Sequence, residues 1–229
     1  MKLSIIVPAL NEKQTIKKIC DKLFDLKIKG VVLEIIIVDD GSTDGTKEII
    51  KQLSPKRKIK AVFHKGNKGK GAAVRTGLEK ATGDYILIQD ADLEYDPEDI
   101  GRLLNPILKE KANVVYGSRF TGERRNMFFW HLAANKTLSL LMDILFNTTI
   151  SDIEVGYKLI KKDVMRSLNL KSNSFDFEVE VTAKLLKKGH KIYEVPISYS
   201  GRDYTEGKKI GFKDGIIAFV KIFYYRFFN

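Results

Sequence analysis

The sequence predicts an α/β fold: a doubly wound, mainly parallel sheet with a C-terminal lobe and an amphipathic C-terminal helix. Three observations predict it. Short β-branched runs alternate with helical stretches over the first 120 residues, the pattern of a sheet wound by crossover helices. Each run ends abruptly in a loop rich in Asp, Gly or Pro. The 229 residues are 44% hydrophobic and 30% charged, which suits a folded core at roughly 150 residues per domain.

The elements follow in order. Residues 2–8 (KLSIIVP) form a β-branched run closed by Pro8, a buried strand. Residues 12–26 place Ile16, Ile19, Leu23 and Leu26 at helical spacing. Residues 33–38 (LEIIIV) are a second strand, followed by a helix to about Leu53 and a third strand at 59–64. A glycine-rich turn leads into a helix at 72–81, then a strand at 84–89. The next helix, 96–111, opens on Asp96-Pro97, a cap followed by a first-turn proline. A fifth strand covers 113–116.

Beyond Arg119 the helices become richer in Leu and aromatics: 128–146 and 214–228, with strands at 157–160 and 191–199 and a helix at 177–188. The expected division is a core over residues 1–120 and an acceptor-binding, membrane-facing part of the same domain over 121–229. Neither the opening segment nor any later run has the length of a secretory leader or of the about 18 apolar residues that span a bilayer. A cytoplasmic protein, at most peripherally bound to the cytoplasmic face of a membrane, is the expectation.

Composition narrows the chemistry. One cysteine, Cys20, excludes a disulfide framework and multi-cysteine zinc sites. The net charge is +11, and the span from Lys47 to Lys80 holds eleven basic residues against two acidic. Such a surface favours anionic partners or serves solubility alone.

Ligands of a parallel sheet bind beyond the carboxyl ends of its strands. Those ends read Pro8-Ala9-Leu10-Asn11-Glu12, Asp39-Asp40-Gly41-Ser42, His64-Lys65-Gly66-Asn67-Lys68-Gly69-Lys70-Gly71, Asp90-Ala91-Asp92-Leu93-Glu94 and Gly117-Ser118-Arg119. Carboxylates beside Lys and Arg on one edge fit a divalent cation with a phosphorylated ligand. Asp90-x-Asp92 is the sharpest element. Alone such a pair is more often a cap or a solvated turn; directly after a strand and beside the other loops the balance reverses, and it can hold a hard cation, with Glu94 as a further ligand. The glycine loop is not a Walker A loop, since Ala72 stands where Lys is needed, and Val74 breaks a dinucleotide-binding G-x-G-x-x-G. Its amides with Lys68 or Lys70 can still cradle an anion. Asp39 and Asp40 can bond a base or ribose edge, with Ser42 or Asp44 capping the next helix.

The segments SIIVPALNE, EIIIVDDGSTDGT, GNKGKGAAVRTG, YILIQDADLEYDP and VVYGSR, continued by DIEVGYKLIKKDV, FEVEVTAKLLKKGHKIYEVPISY and GRDYTEGKKIGFKDG, resemble a family 2 glycosyltransferase of the GT-A fold. Within that family they are most similar to the polyprenyl-phosphate sugar synthases, the group of dolichyl-phosphate mannose and glucose synthases. The resemblance implies that Pro8, Leu10, Glu12, Val38, Asp40, Lys68, Asp90, Ala91 and Asp92 bind the nucleotide. Leu10 stands where an aromatic is often found. It implies Mg²⁺ or Mn²⁺ on Asp90, Asp92 and Glu94. Arg119, Arg202 and Lys208 match basic positions for the acceptor phosphate and donor diphosphate, and His131 stands where some relatives carry Arg.

The function so implied is inverting transfer of one sugar, mannose or glucose first, from a GDP- or UDP-sugar to a dolichyl or undecaprenyl phosphate. A lipid phosphate is already anionic and needs no general base, so Asp92 and Arg119 are the expected catalytic groups. Transfer to a saccharide or glycolipid hydroxyl is the alternative; it would need Asp152 or Glu154 as base. A non-catalytic basic module is a third, disfavoured because acidic strand ends repel nucleic acid. The Q-x-x-R-W motif of processive synthases is absent. Residues 216–228 and 128–146 suit interfacial helices, and stable attachment would call for a membrane-protein partner.

Overall fold

The computed structural model describes residues 1–202 and 211–228. Among them, seven strands form one sheet: β1 (Lys2–Ala9), β2 (Val32–Asp39), β3 (Lys60–Phe63), β4 (Tyr85–Ile88), β5 (Val114–Ser118), β6 (Lys158–Lys161) and β7 (Tyr193–Pro196). The order is β3-β2-β1-β4-β6-β5-β7. β1, β2, β3 and β4 run parallel, as do β5 and β7, whereas β6 is antiparallel to both β4 and β5.

The helices are α1 (Ile16–Asp25), α2 (Thr46–Arg57), α3 (Lys70–Lys80), α4 (Ile100–Leu108), α5 (Phe129–Phe146), α6 (Lys162–Ser167), α7 (Phe177–Lys187) and α8 (Phe212–Phe227). β1 and β2 are buried on both faces because helices cover the sheet from each side. α1 turns Ile16, Ile19, Cys20 and Leu23 inward, the three-and-four spacing of an amphipathic helix. Asp96 accepts from the Glu98 amide at 3.1 Å, and Pro97 opens a single 3-10 turn before α4.

Several boundaries differ from the sequence expectation. α2 runs on through Pro55 to a left-handed cap at Lys58, φ 52°. α3 begins at Lys70, two residues early, because Gly71 donates to the Asn173 carbonyl at 2.9 Å and fixes that turn. The expected strand at 191–199 contracts to β7. The short helix α6 carries no signal of its own in the sequence.

β6 is the consequential difference. After α5 the chain returns and lays β6 between β4 and β5. Residues after 120 therefore supply two strands of the same sheet, and the loop before β6 reaches the edge where β1, β2 and β4 end. At the opposite end, Glu34 ties the strands together. It accepts from Lys2 at 2.9 Å, Lys60 at 2.8 Å and the Thr82 amide at 2.8 Å. Burial alone would push its carboxyl up, but hydrogen bonds from Lys60, Ser4 and Thr82 hold it well below the ordinary carboxylate range.

α5 and α8 pack side by side, and α8 also lies against α7. α8 buries Ile222 and Tyr225. The outer surfaces keep Trp130 at 80%, Ile144 at 70% and Phe228 at 78% exposed.

Candidate functional site

The loop after β1 is stitched to the turn after β2. Asn11 donates its amide to Ser42 at 2.9 Å and accepts from the Thr43 amide at 2.9 Å. The Glu12 amide donates to Thr46 at 2.9 Å, and Lys13 to Asp44 at 3.0 Å. Asp44 also accepts from the Thr46 amide at 2.9 Å, so it closes the first turn of α2. This mutual satisfaction fixes two loops that have no regular structure of their own.

Asp40 organises the glycine loop. Its carboxylate meets His64 Nδ1 at 2.6 Å and accepts from the amides of Lys68 at 2.9 Å and Gly69 at 2.8 Å. Thr76 bonds the other ring nitrogen of His64 at 3.0 Å. Gly41 makes the close approach possible. Its φ is +78°, and a Cβ there would lie 2.5 Å from the carbonyl carbon of Gly66.

Three basic side chains thread between the carboxylates. Lys70 bridges Asp90 and Glu178, each at 2.8 Å. Arg202 reaches Asp92 at 3.0 Å and Glu12 at 3.3 Å, and its amide donates to Glu94 at 2.9 Å. Tyr199 donates its hydroxyl to the other oxygen of Glu94 at 2.8 Å. Burial, then repulsion from Asp90 and Glu94, pushes the Asp92 carboxyl up to about 7 against the pull of Arg202. Arg119 grips Asp152 through Nε and Nη2, both at 2.7 Å, with Nη2 also on Asn135 at 3.1 Å. Its guanidinium lies 5.3 Å from the centre of the Tyr199 ring.

These groups surround a cavity of about 460 Å³. Of the expected nucleotide-binding residues, Pro8, Leu10, Glu12, Asp40, Asp90, Ala91 and Asp92 line it. Glu94, Arg119, His131 and Arg202 line it too. Four expected residues do not. Val38 is buried in an apolar cluster with Ile6, Ile36 and Ala73. The Lys68 side chain is exposed, and its contribution is the amide on Asp40. Asp152 is 1% exposed behind Arg119 and does not reach the cavity. Asp39 is wholly buried and off the cavity as well. Lys208 lies outside the described residues.

The sequence reading passed over Glu178, Tyr199, Tyr95 and Asn135 on the same wall. Glu178 had one available signal: FEVEV sets two Glu, Glu178 and Glu180, among apolar residues of α7, nearly all of which is buried. Hard carboxylate oxygens are the right donors for Mg²⁺ or Mn²⁺, and the proton affinity of Asp92 marks negative charge that a divalent cation would neutralise. Glu94 has both oxygens engaged by Tyr199 and the Arg202 amide. Among the described residues no three His, Cys, Asp or Glu side chains converge on one point.

Two tests follow from this geometry. Asp152→Asn leaves the buried Arg119 guanidinium without its carboxylate and is expected to cost about 3 kcal/mol. Chemical denaturation checks it, and an unchanged midpoint would contradict the pairing. Glu154 lines the same cavity, and burial followed by Glu178 repulsion raises its carboxyl above the ordinary 4.5. The folded state then holds that proton more tightly than the unfolded one, so stability falls as pH rises past 4.5. Glu154→Gln is expected to melt higher than the unsubstituted protein at pH 8, with the advantage vanishing towards pH 4.

Comparison with known proteins identifies the family. A profile of Glycosyl transferase family 2 matches residues 4–168. The dolichol-phosphate mannosyltransferase of Pyrococcus furiosus is 31% identical over 92% of this chain, which spans 60% of that protein. The UDP-N-acetylglucosamine–dolichyl-phosphate N-acetylglucosaminyltransferase of Methanococcus voltae is also 31% identical, over 91% of both chains. Glucosyl-3-phosphoglycerate synthase of Mycobacterium tuberculosis, crystallised with Mn²⁺, UDP and its product, superposes over 98% of this chain and 79% of its own. That superposition has a TM-score of 0.74 at 20% identity. The sheet and its order of elements are thus the GT-A fold, and the chain belongs to glycosyl transferase family 2.

Proposed function

We propose that the cavity binds a nucleotide diphosphate sugar and passes one sugar, with inversion, to a polyprenyl phosphate. Mannose or glucose from GDP or UDP is the first expectation. The observation that carries this is the placement of Arg119 and Arg202 on the same cavity as Asp90 and Asp92. Two polyanions must be brought together there, and fixed positive charge offsets their repulsion. Both curated relatives described above are named for dolichyl-phosphate acceptors.

The residues divide the work. Pro8, Leu10 and Asp40 border the base and ribose. Asp90 and Asp92 would hold Mg²⁺ or Mn²⁺, which when bound neutralises the diphosphate and its leaving charge. Arg202, anchored by Glu12, Asp92 and Glu94, faces the diphosphate. Arg119, oriented by Asp152 and Asn135, faces the acceptor phosphate with His131 nearby. The phosphate oxygen attacks the anomeric carbon, the bond to the nucleoside diphosphate breaks, and no proton has to be removed from the nucleophile.

Transfer to a sugar hydroxyl is the second possibility, and one observation favours it. Asp152 is committed to Arg119, but Glu154 lines the cavity with an unpaired oxygen and a raised carboxyl, the properties of a general base. Incorporation of labelled sugar from GDP-mannose, UDP-glucose and UDP-GlcNAc into polyprenyl phosphate, with Mn²⁺, separates the two. Transfer is expected with one donor, lost in EDTA and reduced about 100-fold or more by Asp92→Asn. Transfer to a saccharide hydroxyl with none to the lipid phosphate would sink the first assignment.

The acceptor side would rest on a membrane. Among the described residues no helix is long and apolar enough to cross one. The paired outer faces of α5 and α8 carry Trp130, Ile144, Phe227 and Phe228, all more than 60% exposed, an apolar patch suited to the headgroup region. Peripheral association with the cytoplasmic face, strengthened by a membrane-protein partner, is the arrangement proposed. Replacing Trp130, Phe227 and Phe228 together by Ser is expected to reduce sedimentation with anionic liposomes while leaving the melting temperature unchanged. Undiminished sedimentation would refute the patch.

A further inference from the structure

Glu178 and Glu154 both line the cavity, and one buried carboxylate oxygen of each, Oε2 of Glu178 and Oε1 of Glu154, has no hydrogen-bond donor among the described residues. Glu178 is 3% exposed in the first turn of α7 and still lines the cavity. Its other oxygen is held by Lys70, which also holds Asp90. Glu154 sits two residues before Gly156, whose backbone packs so closely on Asp90 that a Cβ there would overlap the carboxylate. Glu154 is within electrostatic range of Glu178 and also of Arg119 and Asp152. Both carboxylates are therefore tied to the D-x-D turn, Glu178 through Lys70 and Glu154 through the chain at Gly156.

A buried acceptor without a donor is costly, and native structures rarely leave one. Two acidic groups side by side also repel any phosphate. What fits beside them is a neutral group rich in O–H donors. In the reaction proposed above, the moiety that lies between the donor diphosphate and the acceptor phosphate is the transferred sugar, which is such a group.

We infer that Glu154 and Glu178 form the sugar-recognition floor of the cavity, each unpaired oxygen accepting one ring hydroxyl of the transferred sugar; this rests on the donor function proposed above. Carboxylates accept and do not donate, so the floor discriminates against sugars lacking a hydroxyl at those positions. A missing hydroxyl leaves the carboxylate buried and unpaired, the strongest form of selectivity a polar pocket has.

The test is calorimetric binding of UDP, GDP, UDP-glucose and GDP-mannose to the unsubstituted protein, Glu154→Gln and Glu178→Gln, with Mn²⁺ present. For the donor that the unsubstituted protein prefers, each variant is expected to bind the sugar nucleotide about tenfold more weakly. The matching nucleoside diphosphate should bind all three proteins alike, and the donor KM should rise more than kcat falls. Deoxy-sugar donors should lose affinity for the unsubstituted protein but not for the variant whose carboxylate is gone, the signature of a direct contact.

A single cooperative melting transition in each variant, lower for Glu178→Gln because Lys70 loses a partner, would show that the variants fold. Equal weakening of diphosphate and sugar nucleotide would overturn the inference, because it would mean that Glu178 acts only by holding Lys70 against Asp90. Unchanged sugar-nucleotide affinity would overturn it too. A fall in kcat alone for Glu154→Gln would make that residue a general base instead. An unsubstituted protein that binds neither diphosphate would instead overturn the donor function itself, a result distinct from all of these.

Discussion

Everything at the carboxyl edge of the sheet depends on one electrostatic constraint: acidic side chains outnumber the basic ones that hold them. Glu12, Asp90, Asp92, Glu94, Asp152 and Glu178 share Lys70, Arg119 and Arg202 as partners. Buried pairs of this kind add little net stability, yet removing either partner is expensive. The geometry is held because each carboxylate has a fixed cation or amide to face. Among the described residues the edge nonetheless holds more acidic than basic side chains, in a chain whose net charge is +11. Local chemistry and overall composition point in opposite directions here, and the local balance decides what the cavity takes in.

The same constraint explains why individual residues have unequal freedom. Asp40 and Asp44 are consumed by loop amides, so their work is to hold backbone in place. Glu94 is likewise spoken for by Tyr199 and Arg202. Asp90 and Asp92 face the cavity, and Glu154 and Glu178 each keep an oxygen without a donor. Function is left to the groups that the scaffold does not use up.

Much of this was legible in the sequence. β1, β2 and β4 read directly as β-branched runs, and the loops that follow them supply most of the cavity. A strand end is marked locally by Pro8, by Asp39-Asp40-Gly41 and by Asp90-Ala91-Asp92. The position of β6 was not legible, because antiparallel insertion between β4 and β5 depends on long-range pairing that a four-residue run does not encode. Asp152 looked like a free base for the same reason: its partner Arg119 is 33 positions away. Glu178 is hard to single out because Glu180 stands two residues on in the same helix, and only the fold shows which of the two lines the cavity. Val38 was expected at the site, but strand alternation turns its side chain into the apolar layer.

The placement of β6 has a consequence for how the chain is made. Among the described residues β5 pairs only with β6 and β7, so Val114–Ser118 waits for a strand partner until residues 158–161 have been synthesised. β1 through β4 can assemble first, from contacts already available. During the interval, a fully buried strand of the finished protein, Val-Val-Tyr-Gly-Ser, is an open edge on the ribosome. A ribosome paused between residues 120 and 160 would expose that edge to chaperones or to aggregation. Synonymous codon speed over this stretch should therefore govern the yield of soluble enzyme more than speed over any equal stretch before it.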